Sequence, residues 1–230
     1  MESVEKSLCT CNESTGLERL RYFPRQLLTA DDMRAEQEYF RERQKRHNRL
    51  LHGWGVVCGL EVVPATSEDR PLGVNVCCGY ALGPCGDEIY VSEPVPLDLT
   101  YCARLPFACD QTAPVQPPPI LVRIRYAECP TRPIRTLPAG CGCDETACEY
   151  SRLRDGFELQ CLQVSDKELK DILDASGGTA AGKNAKVPPC QPCPSDPWVL
   201  LAQISPSLVK GVMVVVVDEA SIHNEVRKVV

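Results

Sequence analysis

Residues 29–55 carry a helix start, a helix stop and the beginning of a strand in one run, and that order constrains everything after it. Thr29 with Asp32 three positions on fits a capping box, and Asp31 and Asp32 sit where the helix dipole favours negative charge. The predicted helix extends to about Leu51. Gly53 and Gly55 then end it, and Trp54 between them is placed to plug the junction between helix and sheet. Residues 56–63 read as a strand straight after. Such a run holds one polar helix at a fixed angle to a β-rich body.

Along the helix, Met33, Gln37, Phe40, Gln44, His47 and Leu51 are spaced 4, 3, 4, 3, 4, which is a heptad seam and the expected oligomer interface. Two glutamines and a histidine make the seam polar. Polar seam residues weaken a coiled coil but fix its register and oligomer number. The competing expectation is that Tyr39, Phe40, Leu50 and Leu51 pack on the chain's own β body. The basic run 41–49 reads either as a solvated face or as a contact to an acidic neighbour.

The remainder is mainly β. Residues 73–91 read as two strands around a turn at Gly83, Pro84, Cys85 and Gly86. Residues 120–127 alternate apolar and basic side chains, as a half-buried strand does, and 157–164 and 198–205 read as further strands. Residues 212–217 are so apolar that the strand they predict must be central or covered. Ser165 and Glu168 form a second capping box, for a short helix over 165–173. The fold class expected is therefore mainly β with an N-terminal α-helix (α+β), the body a small antiparallel β-sandwich or barrel-like unit with cysteine-rich insertions. Its parts are a flexible arm at 1–17, a helical segment at 18–55, and a β-rich domain at 56–230 with irregular insertions at 94–119, 129–150 and 176–197.

Fifteen cysteines and twenty prolines are many for 230 residues. An odd cysteine count leaves at least one thiol unpaired or paired to another chain. The polar N-terminus predicts no signal peptide. Cytosolic thiols ordinarily stay reduced, so the choices are metal sites, buried small hydrophobes, or disulfides made after release. Cys141, Cys143 and Cys148, with Cys129 upstream and with Cys190 and Cys193, are the candidate zinc ligands, because zinc takes four tetrahedral ligands, commonly as two close pairs. Disulfides would staple the same irregular segments equally well. A structural zinc is the only cofactor the sequence suggests.

Other chemistry fits poorly. Residues 177–184 (GGTAAGKN) have the glycines and Lys183 of a phosphate-binding loop. Asn184, however, replaces the hydroxyl that holds magnesium, and Pro188 and Pro189 forbid the helix that should follow. Cys190 and Cys193 have redox spacing but lead into a strand, where no helix N-terminus lowers a thiol pKa. His47, His52 and His223 read as structural. No Gly-x-Ser-x-Gly and no His-Glu-x-x-His occurs, so no nucleophile-base pair is visible at recognisable spacing. The formal charge of −6 argues against non-specific nucleic-acid binding. No apolar run reaches membrane-span length.

The segment RYFPRQLLTADDMRAEQEYFRERQKRHNRLLHGWGVVCGLEV resembles the N-terminal part of a widespread group of bacterial proteins associated with phage-tail-like and contractile injection gene clusters. GYALGPCGDEIYV resembles a strand-turn-strand of phage baseplate and tail-fibre modules. RYAECPTRP, CEYSRLRDGFEL and SDPWVLLAQI are similar to the same group. The resemblance implies an N-terminal helix on a small β domain, homo-oligomeric and often trimeric, in contact with other particle subunits. It implies a structural, non-catalytic role: a baseplate, fibre or filament subunit made in the bacterial cytoplasm and carried outside as part of a released particle. Two features depart from that pattern. The cysteines are many for such a part, and the chain lacks the long repetitive shaft of a host-contacting fibre. Two other readings stand beside it. One is a disulfide- or zinc-stapled module that binds a ligand such as a glycan through loops 94–119 and 129–150. The other is a hydrolase with dispersed carboxylates.

Overall fold

In a computed structural model the described residues are 16–67, 70–102, 118–135, 148–176, 192–209 and 212–218. Helix α1 spans Ala30–His47, and both halves of the expected capping box are made. Asp32 N–H donates to Thr29 Oγ1 at 3.2 Å, and Thr29 N–H donates to the Asp32 carboxylate at 2.8 Å. The final turn, Asn48–His52, widens to π pairing, with Gly53 N–H reaching Asn48 O at 3.2 Å. Gly53 then takes a φ of 77°, a left-handed conformation that needs a glycine, and the helix ends as its sequence demands.

Among the described residues ten strands follow in three antiparallel sheets. Strands β1 (Gly55–Gly59), β4 (Gly79–Leu82) and β5 (Glu88–Val91) form one, in the order β1-β4-β5. Strands β2 (Val62–Pro64), β3 (Gly73–Val76) and β6 (Val95–Asp98) form the second, in the order β2-β3-β6. The third, β10-β9-β7-β8, is built from β7 (Ile120–Arg135), β8 (Cys148–Gln163), β9 (Val199–Val209) and β10 (Val212–Asp218). The mostly β body with one N-terminal helix is as expected. Hydrogen bonding divides that body among three sheets around a shared core.

Several boundaries differ from the sequence expectation, each for an identifiable reason. The strand predicted at 56–63 is two strands in two sheets. Gly59 and Leu60 have φ of 63° and 60°, which turns the chain between them. Here Gly59 crosses Gly79 so closely that a Cβ on either would overlap the other segment's backbone. Residues 73–91 hold three strands, because the chain changes sheet at Cys77 and Cys78. The proline-rich segment from residue 94, expected as a loop or an edge excursion, contains β6 at the edge of its sheet. Pro96 is tolerated there because β6 is an edge strand, opposite Asn75. The largest correction concerns the insertion expected at 129–150. Residues 129–135 and 148–150 continue β7 and β8 in unbroken register, from Ile120 opposite Gln163 to Arg135 opposite Cys148. β9 borders β7 only from Ile120 to Ile124, so whichever of Pro130 and Pro133 faces that open side displaces no ladder bond, and the other costs one bond to β8. Residues 103–117, 136–147 and most of the 176–197 segment lie outside the described residues. The apolar run 212–217 forms the terminal strand of the third sheet, beside β2.

Strand β7 is the spine of the core. Ile120, Val122 and Ile124 pack with Val74, Val76, Ile89, Val91, Leu99, Val199 and Ile204, drawing all three sheets together. Leu121 faces the other way, with Val164 and Leu200, and is covered by Leu169 and Ile172 of α2 (Asp166–Ser176). The alternating basic residues of β7 also have their explanation. Arg123 and Arg125 lie over the Trp198 ring at 4.5 and 4.6 Å from its centroid, while Arg123 Nε donates to Gln160 at 2.8 Å. Among the described residues no helix is long and apolar enough to cross a membrane, which leaves strand-spanning architectures unaddressed.

A disulfide joins Cys102, just past β6, to Cys161 on β8, with Cα atoms 5.9 Å apart, and so crosslinks the second sheet to the third. A loop of about that span restricts the unfolded chain by about 4 kcal/mol in the chain-entropy treatment. Replacing both residues together (Cys102→Ser with Cys161→Ser) is expected to lower unfolding free energy by about 2–4 kcal/mol. Urea titration of oxidised wild type against the double variant measures it. Equal midpoints would mean that the crosslink contributes nothing.

Candidate functional site: the outer face of the first helix

Helix α1 is seated on the body by its charged side. Lys45 Nζ lies 2.9 Å from Asp87, with both side chains largely buried. Arg41 pairs with Glu128 at the root of the β7–β8 hairpin, and its guanidinium lies 6.0 Å from the centre of the Tyr126 ring. The Tyr126 hydroxyl donates to Asp155 at 2.6 Å and lies 3.1 Å from Glu128. Asn48 is the buried polar residue at the contact. Its Nδ2 donates to Gly86 O at 3.0 Å, and its Oδ1 accepts from Gln44 Nε2 at 3.2 Å. Gly86 completes the seat. Its φ is 92°, and a Cβ there would overlap the carbonyl of Lys45, so only glycine lets the helix approach so closely.

The basic run 41–49 therefore divides: Arg43 and Arg46 are solvent-exposed, as a solvated face would be, whereas Arg41 and Lys45 turn to the body. The acidic neighbours of these two residues are Glu128 and Asp87 of the same chain. The consequence is that the seam faces outward. Met33, Gln37, Phe40, Gln44, His47 and Leu51 are all exposed. Phe40 is 58% exposed, Met33 56% and Leu51 52%, and Leu50 is exposed as well, so three of the four residues of the intramolecular alternative do not pack on the body. Only Tyr39 is half-buried. Tyr22, Phe23, Leu27 and Leu28 extend the apolar strip ahead of the helix. Of the fifteen large hydrophobics exposed among the described residues, eight lie between Tyr22 and Leu51, so this segment is where apolar surface concentrates.

The turn between β4 and β5 that receives the helix is itself fastened. Cys85 is disulfide-bonded to Cys193, with Cα atoms 4.7 Å apart and 108 residues between them in sequence. That crosslink takes up one of the three described members of the zinc set, leaving Cys129 and Cys148 as free, exposed thiols of the hairpin. Cys193 is bonded to Cys85, whereas Cys148 is a free, exposed thiol opposite Arg135 at the far end of the hairpin. The segment that carries Cys193 touches β7 through Asp196 and Arg123, 12 residues before Arg135. Roughly 40 Å of strand therefore separates Arg123, beside the Cys193 segment, from Arg135, opposite Cys148. Cys141, Cys143 and Cys190 lie outside the described residues, as do His223 and residues 177–184. The His47 and His52 rings lie 5.3 Å apart between centroids, tilted by 60°, at the helix end. Sequence reasoning missed Asn48, Gly86 and Asp87. The available signal was Gly86 followed by an acid in a turn, together with a lysine and an asparagine three apart on one helix face.

Two variants test the seat. Gly86→Ala is expected to push the helix off the turn and Asn48→Ala to strand the Gly86 carbonyl, each lowering unfolding free energy by about 1–3 kcal/mol. Chemical denaturation measures both, and wild-type midpoints would refute the seating. Alkaline pH tests the same region. Burial first, and then the neighbouring Glu88 charge, push the Tyr80 hydroxyl up to about 12. A raised folded-state pKa means that the contribution is complete below the ordinary tyrosine value near 10 and is lost as pH rises toward 12. Stability measured from pH 9 to 12 should fall across that window, and less steeply in Tyr80→Phe. Identical slopes would remove Tyr80 from the account.

No protein-family model matches the chain, and the curated proteins gave no match. A crystal structure of TssK shows a distant likeness, with a TM-score of 0.33 and 10% sequence identity over 88% of this chain. The chain spans 41% of the TssK chain. At that distance the likeness carries no functional weight, and function rests on the helix face.

Proposed function

We propose that the chain is a non-catalytic assembly subunit of a phage-tail-like or other extracellular particle, a baseplate, fibre or filament part. Its α1 seam docks on copies of itself and on neighbouring subunits. One observation carries the reading: the helix is fixed to the body by charge, leaving Met33, Gln37, Phe40, Gln44, His47 and Leu51 together in solvent. A soluble helix ordinarily turns its apolar stripe to the core and its charges to water. The reverse arrangement gains nothing from hydrophobic burial until a partner covers the face. A heptad seam is complementary to a second copy of itself, and Gln37 and Gln44 would pair across it to set register. The two disulfides support an oxidising destination.

Light scattering during size-exclusion chromatography is expected to give a homo-oligomer. Phe40→Asp should convert it to monomer, by at least a tenfold loss of association, with the circular dichroism of the β body unchanged. A monomeric wild type, or an oligomer indifferent to Phe40→Asp, would sink the reading.

A further inference from the structure

The β7–β8 hairpin outruns the body. From Cys148 to Asp155 every residue of β8 is exposed, and so are Cys129, Pro130 and residues 132–135 of β7. A two-stranded ribbon wet on both faces is marginal by itself in water. Its two edges differ. β7 carries Pro130 and Pro133, which lie three apart and so by alternation remove one donor from its outer edge and one from the ladder to β8. β8 contains no proline, ends the order β10-β9-β7-β8, and has no strand hydrogen-bonded to its outer side among the described residues. That edge is also basic. Arg152 and Arg154 lie on β8, and Arg132 and Arg135 on β7, against two acids in these segments, Glu149 and Asp155, the latter already accepting from the Tyr126 hydroxyl. None of the four arginines has an ion-pair partner among the described residues. By strand alternation Arg152 and Arg154 share a face with Tyr150, which is 60% exposed.

We propose that the outer edge of β8, residues 148–154, is a strand-addition site for an extended acidic segment of another protein, a surface separate from the helix seam. The open N–H and C=O groups supply the ladder, and the arginines select carboxylates on alternate positions of the added strand. Charge decides against a second copy as occupant. Edge-to-edge pairing of two ribbons would crowd eight arginines against four carboxylates, and like charges on neighbouring strands repel.

The full chain is used to select from phage-displayed random peptides of about 10 residues, the length of a long strand. The selected peptide is then titrated as a fluorescein conjugate. Enriched peptides are expected to carry Asp or Glu at alternate positions. Their affinity should fall at least tenfold in Arg152→Glu with Arg154→Glu, and again on raising salt. Of the adjacent amides of Arg152 and Leu153, one faces β7 and the other the open edge. Arg152→Pro and Leu153→Pro are therefore made separately, and the variant that keeps the ribbon's hydrogen-exchange protection must lose the peptide. Phe40→Asp should bind normally, which distinguishes this site from the helix face. Failure to enrich any peptide, enrichment without acidic residues, or binding that survives both proline variants overturns the proposal. So does a wild-type dimer that dissociates with the same edge variant, because a second copy would then occupy the site.

Discussion

The close approach of the Gly86 turn to the last turns of α1 sets the character of the whole molecule. One residue without a side chain lets the backbone of Lys45 sit against the β4–β5 connection, and Asn48 and Asp87 then supply a hydrogen bond and an ion pair on either side. Both partners of the ion pair are mostly withdrawn from water, so it is worth more than an exposed pair of the same length. Because polar groups hold the helix, its apolar positions are left over. Burial of Leu, Phe and Met would have been the obvious way to attach a helix to this body. The sequence places those residues elsewhere on the cylinder.

The crosslinks act on the same parts. Cys85 lies next to Gly86 in the turn, and its bond to Cys193 anchors the segment that leads into β9. Cys102 and Cys161 tie the second sheet to the edge of the third. Few aromatic residues are available, and Val, Leu, Ile and Ala fill the core. Covalent fastening between sheets suits a core of small aliphatic side chains divided among three short ladders.

Local signals in the sequence were dependable where local physics decides. Thr29 with Asp32 and Ser165 with Glu168 cap helices as their spacing implied, and Gly53 ends the first helix. The apolar alternation of β7 was legible, although its arginines were explained only by Trp198, seventy-odd positions later. What misled was punctuation. The proline-rich run from residue 94 and the cysteine-rich run from 129 looked irregular, but Pro96 sits on an edge strand, where a proline costs little, and the run from 129 continues a paired ribbon. The glycine at 59 looked like ordinary strand interior, yet it carries the change of sheet. The direction of the helix was out of reach for a different reason. The heptad seam was plain, but which side meets the body depends on Asp87 and Glu128, and no short-range pattern connects these to Lys45 and Arg41.

Strands β7 and β8 are each continuous over 16 residues, from the buried centre of the sheet to the far end of the hairpin. Among the described residues the two strands run from the interior into that projection with no shift of register. A tug on the tip along the strand axis loads the ladder bonds to β9 side by side, in shear, where many must fail at once. A sideways tug peels the hairpin open one pair at a time. Mechanically the body is a clamp with a preferred direction of pull.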